Sequence, residues 1–367
     1  MWFLAQREIL HHKIRFGLVA GLIGLVSFLV FVMTGLSTGL GEASVSGLRI
    51  VTGEAQAVVY AAESQRALAR SDVAVADASK VSAVAGVTAV APIGQSMATF
   101  KTPSGKTLSV ALVGVPDDAT FFPVDRQPAK GSVLIDSSAA AGLQVGDIVR
   151  VQPGGQPLAI GGFSDLGRIQ HMPVAYTALA TWQRLRYATF DTEDAKVPNR
   201  ANAFLVTTMA EYNDQTIMAI PLRTELDAAR VGEAIAASPG YKEETGTINL
   251  IRGFLFGIAA LLVGTFFWIL TLQKEGSLAV LRAAGAGPRV LIGSHTLQVI
   301  MTTMVGLAAG LGAAKAVAKV MPTTVYLLTG SDIVVAGLLL LFLALAASAS
   351  SMRRLFTVDP LLSLGTL

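Results

Sequence analysis

The sequence contains no cysteine and few charged residues, and both shortages restrict the class of protein that it encodes. Without cysteine the chain forms no disulfide and carries no lipid-anchored cysteine, so a folded domain must be held by its apolar core. Only 14% of the 367 residues are charged and 52% are hydrophobic, whereas soluble domains have about 25% charged residues. This balance predicts a membrane protein. No cluster of Lys and Arg accompanies the net charge of +3, which argues against nucleic-acid binding.

Four long runs lack charged residues, and each is long enough for a helix that crosses roughly 30 Å of hydrocarbon. The predicted segments are a cytoplasmic N-terminal segment (1–15), a first transmembrane helix (16–41), an extracytoplasmic α+β domain (42–248), a second transmembrane helix (249–272), a cytoplasmic coupling helix (273–289), a third transmembrane helix (290–320), an outer loop (321–331), a fourth transmembrane helix (332–352) and a cytoplasmic tail (353–367). A signal peptide is the alternative for the first run. The run is longer than the apolar core of a signal peptide, about 7 to 15 residues, and three further spans follow it.

The distribution of Lys and Arg around the runs predicts the orientation of the chain. Basic residues flank the first run at its N-terminal side, occupy the link between the second and third runs, and follow the fourth run: Arg7, Lys13, Arg15, Lys274, Arg282, Arg289, Arg353 and Arg354. The loop from Met321 to Ser331 has neither Lys nor Arg. We therefore expect a multi-pass protein of the plasma membrane with both termini in the cytoplasm.

The stretch KTPSGKT, residues 101–107, ends as a phosphate-binding loop does. That loop requires a glycine five positions before Gly105, where this chain has Phe100. The following LSVALVGV alternates and is rich in Val and Leu, so the pattern favours a β-hairpin turn. The expected extracytoplasmic position also removes the supply of ATP.

The segment between the first two runs shows a mixed α+β pattern. Short alternating pieces predict strands, and helical pieces are predicted at Ser64–Arg70, Ser137–Ala141 and Thr224–Ser238. In the last of these Leu226, Ala229, Val231 and Ile235 lie near helical spacing. His171 is the single histidine of this segment and no G-x-S-x-G motif is present, so neither a zinc site nor a hydrolase is expected.

Pairs of small residues at four-residue spacing let helix backbones approach closely. In the first run these are Gly17 with Gly21 and Gly35 with Gly39. Such pairs occur both in packing within one subunit and in dimer interfaces. Both interpretations stay open at this stage.

The link LQKEGSLAVLRAAGAGPR, residues 272–289, and the tail RRLFTVDPLLSLG give the chain a recognisable pattern. With four spans and a large domain after the first, it resembles the permeases of MacB/FtsX-type ABC transporters. The resemblance implies a homodimer driven by a separate ABC ATPase, which binds the ATP. The link helix would contact that ATPase, and the matching positions here are Lys274, Glu275, Leu278, Leu281 and Arg282. No enzymatic activity and no intrinsic cofactor or metal are expected of the permease.

Within that family the opening 40 residues, with REI, K-x-RF and TGLSTGL, and the later GYKEET are similar to the haem-exporter permeases of the HrtB group. The resemblance implies haem as the transported ligand, which needs apolar walls, a cation for the propionates and an axial donor. The candidates near the expected outer membrane boundary are Met33, Arg49, Tyr60, Met209, Glu211 and Tyr241. Each has an ordinary alternative role in packing or in interfacial anchoring.

Two other functions remain open for the sequence. A permease of this type that moves a lipid, a peptide or an antibiotic would have the same spans and link. A mechanotransmitter would instead use the domain to activate a cell-wall hydrolase without transport.

Overall fold

The structure is a computed structural model that describes residues 2–116, 127–129, 131–187, 197–273, 287–322 and 324–355. It divides into two units. The helical unit comprises residues 1–40 and 246–367, and the interspan domain comprises residues 41–245. Helices α2 and α7 contribute residues to both.

The helical unit is built from helices α1 (Trp2–His11), the first part of α2 (Lys13–Thr52), most of α7 (Tyr241–Gln273), α8 (Pro288–Ala318) and α9 (Gly330–Leu355). Among the described residues, four helices are long and apolar enough to cross a membrane: α2, α7, α8 and α9. Each forms where the sequence has an uncharged run, because a helix satisfies its own backbone hydrogen bonds in hydrocarbon.

Helix α2 has the largest buried share of the four spans. Half of its most apolar window is buried, compared with 17% for α7 and 22% for α9. Its side chains Phe16, Ile23 and Val30 pack in two apolar clusters with residues of α7, α8 and α9. The bundle is therefore arranged around the first span.

Close contact between α2 and α8 depends on small residues. A Cβ added to Gly306 would lie 2.7 Å from Ile23, and one added to Gly310 would lie 2.7 Å from the carbonyl oxygen of Gly24. Ser27 also donates to the carbonyl oxygen of Gly306 at 3.3 Å. These contacts are those expected of small residues at a helix crossing in a membrane.

The interspan domain is an α+β fold on one large mixed sheet. Its strands are β1 (Ala57–Ala61), β3 (Val87–Lys101), β4 (Thr107–Val115), β5 (Ser132–Asp136), β6 (Ile148–Gln152), β7 (Gln156–Ser164), β8 (Arg168–Ile169), β9 (Met172–Ala178), β11 (Ala203–Thr208) and β12 (Leu226–Arg230). Strands β2 (Val73–Ala74) and β10 (Arg200–Ala201) form a separate pair. The order in the large sheet is β12-β1-β11-β3-β4-β9-β5-β7-β6, with β8 paired to β9.

Strand β6 also pairs with the second half of β3, so six strands close into a ring. The interior of the ring contains apolar side chains such as Phe100, Leu112 and Ile160. Trp182 of helix α4 (Leu179–Tyr187) joins this cluster, and its indole nitrogen donates to Ser96 Oγ at 3.0 Å. Gly94 and Gly114 leave room for the Trp182 side chain, since a Cβ at either would lie within 2.5 Å of it.

The remaining strands, β12, β1 and β11, carry apolar clusters on both faces. One cluster includes Val81 of α3 (Ala78–Ser82) and Ile217 of α5 (Asn213–Thr224). The other includes Leu48 and Val51 from the end of α2, and residues of α6 (Val231–Ala236) pack there too. The last turns of α2 are thus part of the core of the domain.

The predicted hairpin at KTPSGKT is confirmed. Strands β3 and β4 pair antiparallel from Lys101 opposite Thr107 to Gly94 opposite Gly114. Gly105 has a φ of +81°, which suits glycine at a tight turn. The segment forms a turn between strands, and no helix N-terminus follows it as a phosphate loop requires.

The helix predicted over Thr224–Ser238 is wrong in its first half. Residues 226–230 form strand β12, which pairs antiparallel with β1, and only Val231–Ala236 are helical. Glu225 takes a left-handed φ of 59°, which separates the strand from α5. Ala228 and Ala229 are both buried because the strand has apolar clusters on both faces, so the alternation that marks a strand is missing.

Two shorter helix predictions also need correction. Ser64–Arg70 contains two separate 3₁₀ turns, Ala62–Ser64 and Leu68–Arg70, divided by Gln65 and Arg66 with left-handed φ values. The predicted helix at Ser137–Ala141 is a single 3₁₀ turn over Ser137–Ala139, which Asp136 begins by accepting from the backbone of Ser138. Short polar pieces hydrogen-bond their own turns and do not extend into helices.

Candidate functional site

The structure places Tyr60 in the interior of the domain. The residue lies on β1 and is fully buried, and its hydroxyl has no hydrogen-bond partner among the described residues. Burial raises the pKa of the phenol, because the charged form would be desolvated. Tyr60 was predicted as a haem-binding candidate near the outer membrane boundary, but its buried hydroxyl is not presented to a ligand.

Arg49 and Tyr241 lie on the parts of α2 and α7 that belong to the interspan domain, and we call these parts the stems: residues 41–52 and 241–245. The Tyr241 ring lies beside Gly41, where an added Cβ would be 3.6 Å from it. Arg49 is exposed and its Nη1 lies 2.6 Å from Glu42 Oε1. An anionic ligand at Arg49 would have to compete with that carboxylate.

The other three candidates belong to other segments of the chain than the stems. Met33 is half-buried on α2 within the helical unit. Met209 and Glu211 are exposed where β11 ends, next to Gln56, whose Oε1 accepts from the backbone of Thr208 at 2.9 Å. Among the described residues, no hydrogen bond or ion pair joins any two of the six candidates.

The two glycine pairs of α2 have different surroundings. A Cβ at Gly35 would lie 2.5 Å from the ring of Tyr326, and one at Gly39 would lie 2.3 Å from the backbone of Val325. Gly17 and Gly21 are exposed with nothing within 4 Å. Gly35 and Gly39 therefore pack against the loop between α8 and α9, while Gly17 and Gly21 face outward.

The loop at Gly35 is fixed by further hydrogen bonds. Leu327 donates from its backbone to the carbonyl oxygen of Gly35 at 2.9 Å, and Thr38 Oγ1 donates to Asp332 Oδ2 at 3.1 Å. The five expected ATPase-coupling residues, Lys274, Glu275, Leu278, Leu281 and Arg282, lie outside the described residues.

A cluster that the sequence did not reveal joins three elements of the interspan domain. We call Ser44, His171 and Glu244 the stem cluster. Ser44 Oγ donates to Glu244 Oε2 at 2.8 Å and lies 3.2 Å from His171 Nε2, and that nitrogen is 3.3 Å from Glu244 Oε2. The cluster therefore connects both stems with the turn between β8 and β9.

The stem cluster does not have the geometry of a catalytic triad. In a triad the carboxylate holds one imidazole nitrogen while the other accepts the proton of the serine. Here both contacts involve Nε2, and the hydroxyl proton of Ser44 is directed to Glu244. Within the described ranges, no group of three or more His, Cys, Asp or Glu side chains is arranged to hold a metal ion.

The sequence contained one signal for the cluster, the single histidine of the domain. Its partners are 127 residues before it and 73 residues after it, so no local pattern could join them. The fold does so by seating the β8–β9 turn on α2. Gln170 and His171 donate from their backbones to the carbonyl oxygens of Ser44 and Ala43 at 3.0 and 2.9 Å.

Comparison with known proteins adds an independent finding. Residues 249–360 match the family model of the FtsX-like permease C-terminal domain. The chain is 21% identical, over 99% of both chains, to a Staphylococcus epidermidis protein named "Putative hemin transport system permease protein HrtB". It is 26% identical, over 79% of this chain and 78% of the other, to an uncharacterized ABC transporter permease of Mycobacterium tuberculosis.

Two solved structures resemble part of the chain. One is the periplasmic region of MacB from Actinobacillus actinomycetemcomitans, with a TM-score of 0.34, 14% identity, and coverage of 52% of this chain and 92% of that one. The other is the extracellular domain of the ABC-type transporter YknZ from Gram-positive bacteria, with a TM-score of 0.33, 15% identity, and coverage of 47% and 98%. Both TM-scores are below 0.5, so the assignment depends on the sequence matches.

Four apolar helices, an α+β domain between the first and second, and a matching permease domain define the class: the chain is a permease subunit of an ABC transporter. Its residues 249–360 match an FtsX-like permease C-terminal domain, and the chain is homologous to the protein named HrtB. In this family a partner subunit hydrolyses ATP.

Proposed function

We propose that the chain is the permease of an exporter that expels haem from the membrane outward and so detoxifies it. The observation that carries this proposal is the end-to-end similarity to a protein named for hemin transport, 21% over 99% of both chains. The permease would act as a homodimer with a separate ABC ATPase.

The proposed direction of export requires the interspan domain to lie outside the cytoplasm. The Lys and Arg bias of the sequence supports that orientation. Because the chain has no cysteine, a single added cysteine reports its own side of the membrane. Ser104→Cys in the exposed hairpin turn should react with a membrane-impermeant maleimide in intact cells, and His12→Cys should react only after lysis. The reverse pattern would contradict the orientation and outward export.

Haem binding is tested by titrating haemin into the purified permease in detergent and following the Soret band. Met33 and Tyr241 carry the axial donors to be tested, a thioether and a phenol. We expect a saturable shift that Met33→Ala or Tyr241→Phe weakens. The matched controls are Met218→Ala, on the exposed face of α5, and Tyr187→Phe, at the end of α4. A titration equal to that of empty micelles would contradict the haem assignment and leave the permease class intact.

The proposed dimer is supported by the outward glycines of two spans. Gly17 and Gly21 on α2 and Gly253 and Gly257 on α7 are exposed with nothing within 4 Å. Surfaces of this kind permit close backbone approach between helices. Gly21→Leu and Gly257→Leu should lower the dimer fraction in cross-linking, while Gly337→Leu, at an open position on α9, should not. Equal behaviour of all three would argue against this interface.

Coupling to the ATPase is assigned to the link between α7 and α8. Leu278 and Leu281 are apolar positions of that link, and Glu275 and Arg282 are charged positions of it. We expect Leu281→Glu to abolish co-purification of the ATPase subunit without changing haemin binding. Retained co-purification would show that the ATPase docks elsewhere.

The molecule that stimulates the ATPase activity distinguishes haem export from the alternative functions. In liposomes an exporter's ATPase activity rises when its own substrate is added. Stimulation by haemin supports the proposal, whereas stimulation by a lipid, a peptide or an antibiotic reassigns the substrate. Stimulation only by a cell-wall hydrolase would identify a mechanotransmitter.

A further inference from the structure

The turn between β8 and β9 is held in a conformation that side chains rarely adopt. Gln170 and His171 have φ values of 50° and 65°, both in the left-handed region. That region is favoured by glycine and asparagine, and other residues persist there only where the surroundings impose it. Here the two backbone hydrogen bonds to Ala43 and Ser44 on α2 impose it. The turn therefore fixes the His171 imidazole beside the α2 stem.

The hydrogen bonds of the stem cluster determine which imidazole nitrogen carries the hydrogen. Ser44 has one hydroxyl hydrogen and donates it to Glu244, and a carboxylate only accepts. The Nε2 of His171 must therefore make both of its contacts as an N–H donor. In the neutral imidazole the lone pair then lies on Nδ1. No hydrogen bond from the described residues reaches Nδ1, and the side chain is 51% exposed, so a ligand has access to it.

This arrangement is that of an imidazole that binds a metal. A metal-ligating histidine almost always donates its other ring N–H to a carboxylate, a carbonyl or water, which fixes the tautomer and the orientation of the ring. In the stem cluster Glu244 Oε2 lies 3.3 Å from Nε2, and Ser44 Oγ lies 3.2 Å from it. Glu244 and Ser44 therefore hold His171 with its lone pair directed away from them.

The number of donors indicates which kind of metal centre fits. A bare metal ion needs three or four protein ligands, and within the described ranges no group of three or more His, Cys, Asp or Glu side chains is arranged to supply them. In haem the porphyrin already holds the iron, and histidine is a common axial ligand. A single presented imidazole therefore fits haem iron better than a free ion.

The same turn carries a cation. Arg168 Nη1 donates to the carbonyl oxygen of His171 and Nη2 donates to Ser138 Oγ, both at 2.9 Å. Its remaining N–H donors meet no acceptor among the described residues, and a guanidinium pairs well with a carboxylate. Tyr241 lies three residues before Glu244, on the same side of α7, and adds an aromatic ring near the cluster.

We propose that His171 binds the iron of haem through Nδ1 as an axial ligand, and that Arg168 pairs with a propionate of the same molecule. Glu244 and Ser44 are positioning residues that hold the imidazole in the required tautomer. The inference rests on the proposed function, because it takes haem as the substrate. It gives the interspan domain a direct role in receiving that substrate.

The test is a titration of haemin into the purified full chain in detergent, followed by the Soret band and by electron paramagnetic resonance of the ferric iron. The wild type should show ligation by nitrogen. His171→Asn keeps a residue that tolerates the left-handed turn and removes the imidazole. We expect it to lose the nitrogen-ligated spectrum. Glu244→Ala keeps the imidazole without its carboxylate, and the affinity for haemin should fall about 10-fold to 100-fold.

A second titration with iron-free protoporphyrin separates ligation of iron from the other contacts. His171→Asn should bind this porphyrin as the wild type does, because no iron is present to be ligated. Arg168→Gln should weaken the binding of both porphyrins, because both carry propionates. An equal loss of haemin and protoporphyrin binding in His171→Asn would mean that the histidine has only a structural role, and would overturn the proposal.

The matched control is His12→Asn, which removes an exposed histidine of the helical unit. It should leave the spectrum unchanged, whereas a change equal to that of His171→Asn would identify adventitious binding to exposed imidazoles and overturn the proposal. A nitrogen-ligated spectrum that persists in His171→Asn would also overturn it, and would leave haem export intact. If the wild type binds no haemin at all, both this inference and the export of haem fail.

Discussion

In the interspan domain the large apolar side chains Trp182 and Phe204 are fully buried, whereas in the helical unit Leu18, Phe254 and Phe342 are about two-thirds exposed. The first pattern is that of a domain folded in water, whose core removes apolar surface from solvent. The second belongs to helices whose outer faces contact lipid or another subunit. The same apolar residue therefore has different partners in the two regions, and the effect of a substitution should differ accordingly.

Removing the largest buried side chain of the domain should have the largest effect on stability. Trp182→Ala leaves a cavity where Gly94 and Gly114 lie against the indole, and we expect a loss of about 3–5 kcal/mol in the free energy of unfolding. Unfolding of the full chain in detergent, followed by circular dichroism, measures it. Trp2→Ala, at an exposed position of α1, is the control and should change little. A similar loss in both variants would contradict the comparison.

An added methyl group should destabilise the protein at one glycine pair of α2 and not at the other. Gly39→Ala places a Cβ 2.3 Å from the backbone of Val325, so we expect about 1–3 kcal/mol of destabilisation from overpacking. Gly17→Ala meets open space and should not destabilise the bundle. Thermal unfolding followed by tryptophan fluorescence compares the two. Equal loss would mean that the outward face of α2 is as closely packed as its inner face.

Arg49 lies on the α2 stem, and its substitution distinguishes a role in stability from a role in haemin binding. Its ion pair with Glu42 is exposed, so Arg49→Gln should cost less than about 1 kcal/mol of stability. If the guanidinium holds a propionate, the loss of that charged hydrogen bond should weaken haemin binding about tenfold or more. Calorimetric titration measures the affinity, and Arg70→Gln is a control on the same domain. Unchanged affinity would remove Arg49 from the site.

Among these substitutions, Tyr60→Phe should have the smallest effect on stability at neutral pH. Tyr60→Phe removes a buried hydroxyl that has no partner among the described residues, so stability near pH 7 should be unchanged or slightly higher. Burial raises the pKa of the phenol in the folded state. The protonated phenol therefore keeps its full contribution to folding stability below about pH 10, and this contribution is lost as the pH rises further. The wild type should therefore lose stability above pH 10 more steeply than Tyr60→Phe. Parallel curves in alkaline unfolding experiments would contradict the burial of the hydroxyl.

Much of the fold could be predicted from local sequence. The four uncharged runs predicted helices because hydrocarbon leaves a chain no other way to satisfy its backbone. The hairpin at residues 101–107 was predictable because glycine and an alternating strand act over a few residues. Strand β12 was not predictable, since its pairing with the distant β1 overrides a weak helical spacing of small residues.

The candidate site could be predicted from the sequence less well than the fold. Tyr60 was expected near the membrane surface because of its distance along the chain from the first span. That distance gives no information about which face of β1 it occupies, and the side chain is buried. Conversely, the stem cluster combines residues from three distant segments, none of which has a local signature.

Four apolar helices, an intervening α+β domain and a permease-like link follow from the sequence, because these features depend on composition and short-range periodicity. Which glycines of α2 are covered, the pairing of β12 and the meeting of Ser44, His171 and Glu244 became visible in the folded chain. Burial and hydrogen bonding between distant segments depend on how the chain is packed, which no local pattern encodes.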